Sequence, residues 1–196
     1  MLRILGEVPH TRLRAVADVD LCLVACGYES RARAFASLYG FEESERLALA
    51  FPGQQLLSFA ENERAFRARG FAIETIHDTE IVSTVSAHLG RHVGKQDSAE
   101  VRMFVDISSQ SRSRLAFILE AISRVAGNAT VRVFFGYTLA QYLPPPLGRV
   151  PNVGIGPVSD FFAGWSPDPE LPVSLVLGLG YEPDRAMGAV EYLGAV

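Results

Sequence analysis

Between Asp20 and Cys26 the chain reads DLCLVAC, an apolar run without polar alternation that is broken at once by Gly27. A strand with one face in water alternates. A short continuous run belongs instead to a strand covered on both faces, and such strands are found in parallel sheets sandwiched between helices. The sequence up to residue 136 keeps to that constraint. Ser30 is placed to cap a helix over RARAFASLY, and Gly40 to stop it. ERLALAF (45–51) reads as a second strand, Ser58 and Glu61 have capping-box spacing ahead of a helix ending near Gly70, and FAIETI (71–76) is a third strand. Asp78 or Thr79 can cap a helix over EIVSTVSAHLGRHV. VRMFVDI (101–107) is a fourth strand, QSRSRLAFILEAISRVAG a long helix, and TVRVFFG (130–136) a fifth strand.

Strands and helices alternating at this spacing require crossover connections and a parallel sheet between two helix layers. The expected fold is α/β, a Rossmann-like three-layer sandwich with a mainly parallel sheet of about six strands. A length of 196 residues suits one domain whose core needs no disulfide or metal staple. We therefore read 1–196 as a single Rossmann-like domain. Within it, 137–170 is an irregular Pro/Gly-rich loop containing PPP at 144–146, and 171–196 is a partial repeat of the first strand–turn–helix. That repeat is an echo between GYESRARAFASLY (27–39) and GYEPDRAMGAVEY (180–192), which share Gly, Tyr, Glu, one alanine and the final tyrosine without a gap. In both copies an apolar run precedes the glycine turn, so Glu29 and Glu182, with Arg31 and Arg185, are expected at the same edge of the sheet. Good dipole chemistry at a helix start explains the glutamates equally well.

Charge narrows the classes of function. Hydrophobic residues make up 48% and charged residues 20% of the chain, the balance of a packed protein, and the formal charge of −4 with scattered basic residues argues against duplex DNA binding. Lys95 is the single lysine among 18 basic residues. Arginine suits bidentate recognition of phosphate or carboxylate, although the base composition of a GC-rich genome accounts for the bias too. Cys22 and Cys26 fall on one face of the first strand and read as reduced core residues. With no apolar span of membrane length and no secretory leader, the expected location is cytoplasmic.

In open parallel sheets, ligands sit outside the carboxyl ends of the strands. There the chain places Tyr28, Glu29, Ser30 and Arg31 after the first strand, Asp106, Ser108, Ser109, Ser111 and Arg112 after the fourth, and Tyr137, Thr138, Gln141 and Tyr142 after the fifth. The segment VDISSQSRSR carries the most information. An aspartate ending a buried strand, then hydroxyl residues and an arginine at a helix start, offers donors and positive charge to an anion. Alternatively, Ser108 or Ser109 only caps the helix. No phosphate-loop or dinucleotide fingerprint occurs, which disfavours nucleoside triphosphatases and nicotinamide oxidoreductases, and no motif names a cofactor. The glycines of GIGPVSD (154–160) read as loop glycines. His88 and His92 have helical i, i+4 spacing but lack the metalloprotease glutamate, so surface histidines are the simpler reading and no metal is expected. Tyr137, Tyr142, Phe161, Phe162 and Trp165 either stack on a base or fasten the loop.

At VDISSQSR, reached from the fourth strand, the arrangement resembles the ligand sensors of the CRISPR-associated Rossmann fold family, whose strand–helix order it shares over about 20–136. The threonine, glycine and lysine pattern usual in those sensors does not occur here. The resemblance implies a homodimer binding a cyclic oligonucleotide across the strand ends. The GYE and DISS motifs also look like those of uncharacterised bacterial proteins associated with defence systems. Taken together, the residues lead to a ligand-binding module for a nucleotide-like or other anionic small molecule. Ser108, Ser109 and Arg112 would hold the anion, Glu29 would contact a hydroxyl or base, and Tyr28, Ser30, Arg31, Tyr137, Glu182 and Arg185 would complete the pocket. Two other readings stay open: a nucleotide or glycosidic-bond hydrolase using Glu29 or Asp106 as general acid or base, and a non-catalytic subunit of a larger complex. A homo-oligomer or a partner protein fits the incomplete second unit.

Overall fold

The first apolar run is strand β1 (Leu21–Cys26), and every one of its residues is buried. A computed structural model describes residues 18–53, 55–94, 100–127, 129–141 and 156–164, with 168, 170, 171, 174, 176–178 and 190. After β1 come a short 3-10 turn (Ser30–Arg33), α1 (Ala34–Leu38), β2 (Glu45–Ala50), α2 (Phe59–Ala68), β3 (Ala72–Thr75), a 3-10 turn (Asp78–Glu80), α3 (Ile81–Gly90), β4 (Glu100–Asp106), α4 (Arg112–Val125) and β5 (Thr130–Gly136). The five strands form one sheet in the order β3-β2-β1-β4-β5, with every neighbouring pair parallel. This is an α/β Rossmann-like sandwich with five strands among the described residues. The sixth strand expected after residue 171 lies partly outside them, and the residues described there, 171, 174 and 176–178, are not in a strand.

Alternation along β1 divides the core. Leu21 and Leu23 join Leu47, Leu49, Met103 and Val105 on the face covered by α3 and α4, through Ile81, Val85, Leu89, Ile118 and Ile122. Cys22, Val24 and Cys26 join Ala48, Ala50 and Phe104 on the other face, beneath Ala36 of α1 and Phe59 and Phe66 of α2. Small strand residues on this second face leave room for large rings: Phe35 and Phe41 each lie 5.1 Å from Phe104, centroid to centroid. Gly136 belongs to the same packing. A Cβ there would collide with the Phe104 ring and lie 2.8 Å from Phe35 Cζ. Both cysteines are free and buried, and burial raises both thiols, Cys26 to about 11, so neither ionises readily.

Several caps differ from expectation because tertiary partners compete for the same side chains. Ser30 lies inside the first 3-10 turn and caps nothing. Ser58 precedes α2 without a side-chain cap bond, and Glu61 pairs instead with Arg33 at 3.0 Å. His77, rather than Asp78 or Thr79, opens the segment before α3: its amide donates to Glu80 at 2.8 Å, closing a capping box. The chain divides into two units, Met1–Ala140 and Gln141–Val196. In the second, Ser159 caps a 3-10 turn (Asp160–Phe162) in which Phe161 and Phe162 meet edge to face at 4.9 Å. Among the described residues no helix is long and apolar enough to cross a membrane.

Candidate functional site

From β1 the chain steps outward to β2 and β3, then returns through α3 to β4 on the opposite side of β1. The strand order therefore reverses between β1 and β4, and a crevice outside their carboxyl ends is the place where open α/β sheets bind ligands. Two turns meet there, Gly27–Ser30 after β1 and Ile107–Ser111 after β4. They are close: a Cβ on Gly27 would lie 3.9 Å from Ser109 Cβ.

The β1 turn is held from α2. Asn62 is fully buried in that helix, and its amide donates to the carbonyls of Gly27 (2.9 Å) and Glu29 (2.8 Å). Its own oxygen accepts from Arg33. A buried amide that satisfies two turn carbonyls fixes the local path of the chain, since either carbonyl left unpaired would carry a desolvation cost. On this turn Glu29 pairs with Arg31, and Arg31 reaches over the end of β4 to the β5 side, donating to the Tyr137 hydroxyl at 3.2 Å and the Thr138 carbonyl at 3.1 Å. Its guanidinium also lies 5.5 Å from the Tyr137 ring centroid.

Beneath this belt is Asp106, the last residue of β4 and only 1% exposed. Its Oδ1 accepts from the Ser108 amide at 2.9 Å. The Ser108 hydroxyl accepts from the Thr138 amide at 2.8 Å, and the Ile107 amide donates to Gly136, so the β4 and β5 turns are tied together. Burial pushes the Asp106 carboxyl up to about 6, against opposing contributions from the Ser108 hydroxyl and amide and from the Arg31 charge. Four polar atoms around this turn are buried without a hydrogen bond: Asp106 Oδ2, Ser109 Oγ, and both amide atoms of Gln110. Buried groups of this kind each carry a desolvation cost of about 1–3 kcal/mol unless something pairs with them, and they are uncommon enough to call for an explanation.

The structure thus brings Glu29, Arg31, Asp106, Ser108, Ser109 and Tyr137 to one edge. Tyr28 and Ser30 are on the same turn but exposed, with no side-chain bond among the described residues. Arg112, at the first turn of α4, is exposed and likewise makes no hydrogen bond or ion pair there. Neither Ser108 nor Ser109 caps α4. Ser111 does, accepting from the Arg114 amide at 3.2 Å. Glu182, Arg185, Tyr142 and Trp165 lie outside the described residues.

Three participants went unread in the sequence. Gln110 stands inside the motif itself. Asn62 could have been noticed as the one polar residue in the stripe Phe59, Asn62, Phe66 that α2 buries. Arg114 is wholly buried: it pairs with Asp78 at 2.9 Å, donates to the carbonyls of Ile76 (2.7 Å) and Ala50 (3.2 Å), and stacks 3.7 Å from the Phe51 ring centroid. Burial lowers its pKa and Asp78 opposes that. It closes the ends of β2 and β3 and is a structural arginine beside the site.

Away from this edge, His88 is not a surface residue. It is 6% exposed, with Nδ1 on Glu45 and Nε2 on Glu74 at 3.0 Å, while His92 meets Glu45 at 2.7 Å. Burial works to raise the Glu45 pKa, but the bonds from His88 and His92 outweigh it and hold the carboxyl below its ordinary range. No group of metal-ligating side chains occurs among the described residues. An open groove of about 920 Å³ runs between α3 and α4, lined by Val82, Ser86, Phe117 and Arg124 among others. It lies in the helix layer and is lined by no residue of the turns after β1 and β4. In comparison with known proteins, the chain matches no family model and no curated protein.

Proposed function

We propose that the β1/β4 edge binds a nucleotide-like small molecule. The observation supporting this is the group of four buried, unbonded polar atoms after β4, placed where the strand order reverses. Asp106 Oδ2 requires a donor, such as a sugar hydroxyl or a base N–H, while the Gln110 amide can both give and receive, as one edge of a base does. An anionic group belongs farther out, near the exposed Arg112 and the start of α4, because Arg31 is already engaged by Glu29 and a buried carboxylate repels anions. In this reading the chain is a cytoplasmic ligand sensor. Its resemblance to the CRISPR-associated sensors extends the proposal to bacterial defence signalling by a homo-oligomer.

Calorimetric titration with mononucleotides and cyclic oligonucleotides tests the proposal. Saturable binding is expected, weakened about tenfold by Gln110→Leu through the loss of one or two hydrogen bonds. An absence of saturation with every ligand, together with no effect of Arg112→Ala, removes it. A second reading draws on the Asp106 carboxyl. With a pKa near 6 it is suited to general acid–base work in hydrolysis at the same edge. Turnover abolished by Asp106→Asn while binding persists selects that reading over a sensor.

A further inference from the structure

At the opposite, amino-terminal end of the sheet lies a cavity of about 480 Å³ between the end of α1, the end of α2 and the start of β2. Arg46, the second residue of β2, lines it together with Arg69, Ser37, Tyr39 and Glu42. Arg46 is half-buried and has neither an ion pair nor a hydrogen bond among the described residues, and its Nε is fully shielded from solvent. Its guanidinium lies close to the backbone of Gly70. A Cβ on Gly70 would stand 2.9 Å from Nη2 and 3.3 Å from Cζ, so the planar head lies against the glycine, which itself has φ +71°. The one carboxylate lining the cavity does not neutralise it. Glu42 folds back over Gly40, where a Cβ would be 3.2 Å from Oε1, and forms no ion pair with Arg46.

Arg46 thus carries a charge with no counter-charge and a shielded Nε with no hydrogen bond, while its two Nη groups stay open to the cavity, where an anion can complete the fork. From this arrangement we infer a second binding site, for a small oxyanion of the phosphate class, with Arg46 as its principal ligand. The planar fork of arginine matches two oxygens of a phosphate, and the cavity also carries the hydroxyl residues Ser37 and Tyr39. The site is independent of the nucleotide reading, since its residues gather at the amino-terminal ends of β2 and β3 rather than after β1 and β4.

Thermal unfolding of the full chain, with inorganic phosphate and separately with glycerol phosphate, tests it. Expected is an upward shift in melting temperature that grows with ligand concentration, is lost in Arg46→Met and is kept in Asp106→Asn. The more effective of the two probes tells whether the free ion or a monoester is the better ligand. Without phosphate, Arg46→Met should be at least as stable as the parent, because it removes an uncompensated charge and keeps the apolar stem. The inference is overturned if neither probe shifts the parent protein or if Arg46→Met keeps the shift. It is equally overturned if Arg46→Met is destabilised in phosphate-free buffer, which would make Arg46 a structural residue.

Discussion

Asp106 combines the properties that most distinguish this chain: 1% exposure, one unbonded oxygen and a carboxyl pushed up to about 6. Because its folded pKa lies above the ordinary value of 3.8, the folded state prefers the protonated form. Its contribution to stability is complete below about pH 4 and is lost as pH rises through 6. At about 1.4 kcal/mol per tenfold change in proton affinity, ionising the buried group costs at most about 3 kcal/mol. Asp106→Asn keeps an acceptor for the Ser108 amide and removes the charge. Its urea midpoint is therefore expected to exceed that of the parent at pH 8 and to match it near pH 4. A pH-independent difference would mean that the carboxyl is not the titrating group. Gly136 makes a second prediction at this scale. Gly136→Ala drives a methyl into Phe104 and Phe35 and should destabilise by about 1–3 kcal/mol in equilibrium unfolding.

Among the elements, strands were easier to read than caps. DLCLVAC announces β1 because burial on both faces leaves a continuous apolar signature in the residues themselves, whereas TVRVFFG, the edge strand β5, is buried only at Gly136 and is read from its β-branched and aromatic residues. Ser58, Glu61 and Asp78 carry cap chemistry locally, but Glu61 is taken by Arg33 and Asp78 by Arg114, partners far away in the chain. The same limit applies to the site. That polar residues would follow β1 and β4 was legible, whereas the exposure of Arg112 and the burial of Arg114, two positions later on α4, depend on which side of the helix faces β2 and β3. Arg114 closes those strand ends through one ion pair and two short carbonyl bonds. Arg114→Ala should cost about 2–5 kcal/mol by leaving the buried carbonyls of Ala50 and Ile76 unpaired, measured by urea unfolding. Arg112→Ala should leave stability within about 0.5 kcal/mol of the parent. Asn62→Ala frees the Gly27 and Glu29 carbonyls and is expected to weaken both stability and nucleotide binding, since the β1 turn forms half of the edge.

For the whole molecule, the order β3-β2-β1-β4-β5 matters more than any single motif, because it decides which turns become neighbours. Residues 27–31, 106–111 and 137–138 are distant in sequence and meet only because β4 returns to the far side of β1. The sequence showed the alternation of strands and helices but not this order, which depends on where each crossover lands. Since Met1–Ala140 forms a unit by itself, a fragment of 1–140 should unfold cooperatively, and a fragment without a cooperative transition would contradict that autonomy. The central claim, that the β1/β4 edge is the binding site, is tested most directly by mapping backbone amide chemical shifts during nucleotide titration. The account predicts saturating changes at Gly27–Arg31, Asp106–Ser111 and Tyr137–Thr138. Saturating changes confined to the groove between α3 and α4, or none at any nucleotide concentration, would contradict it.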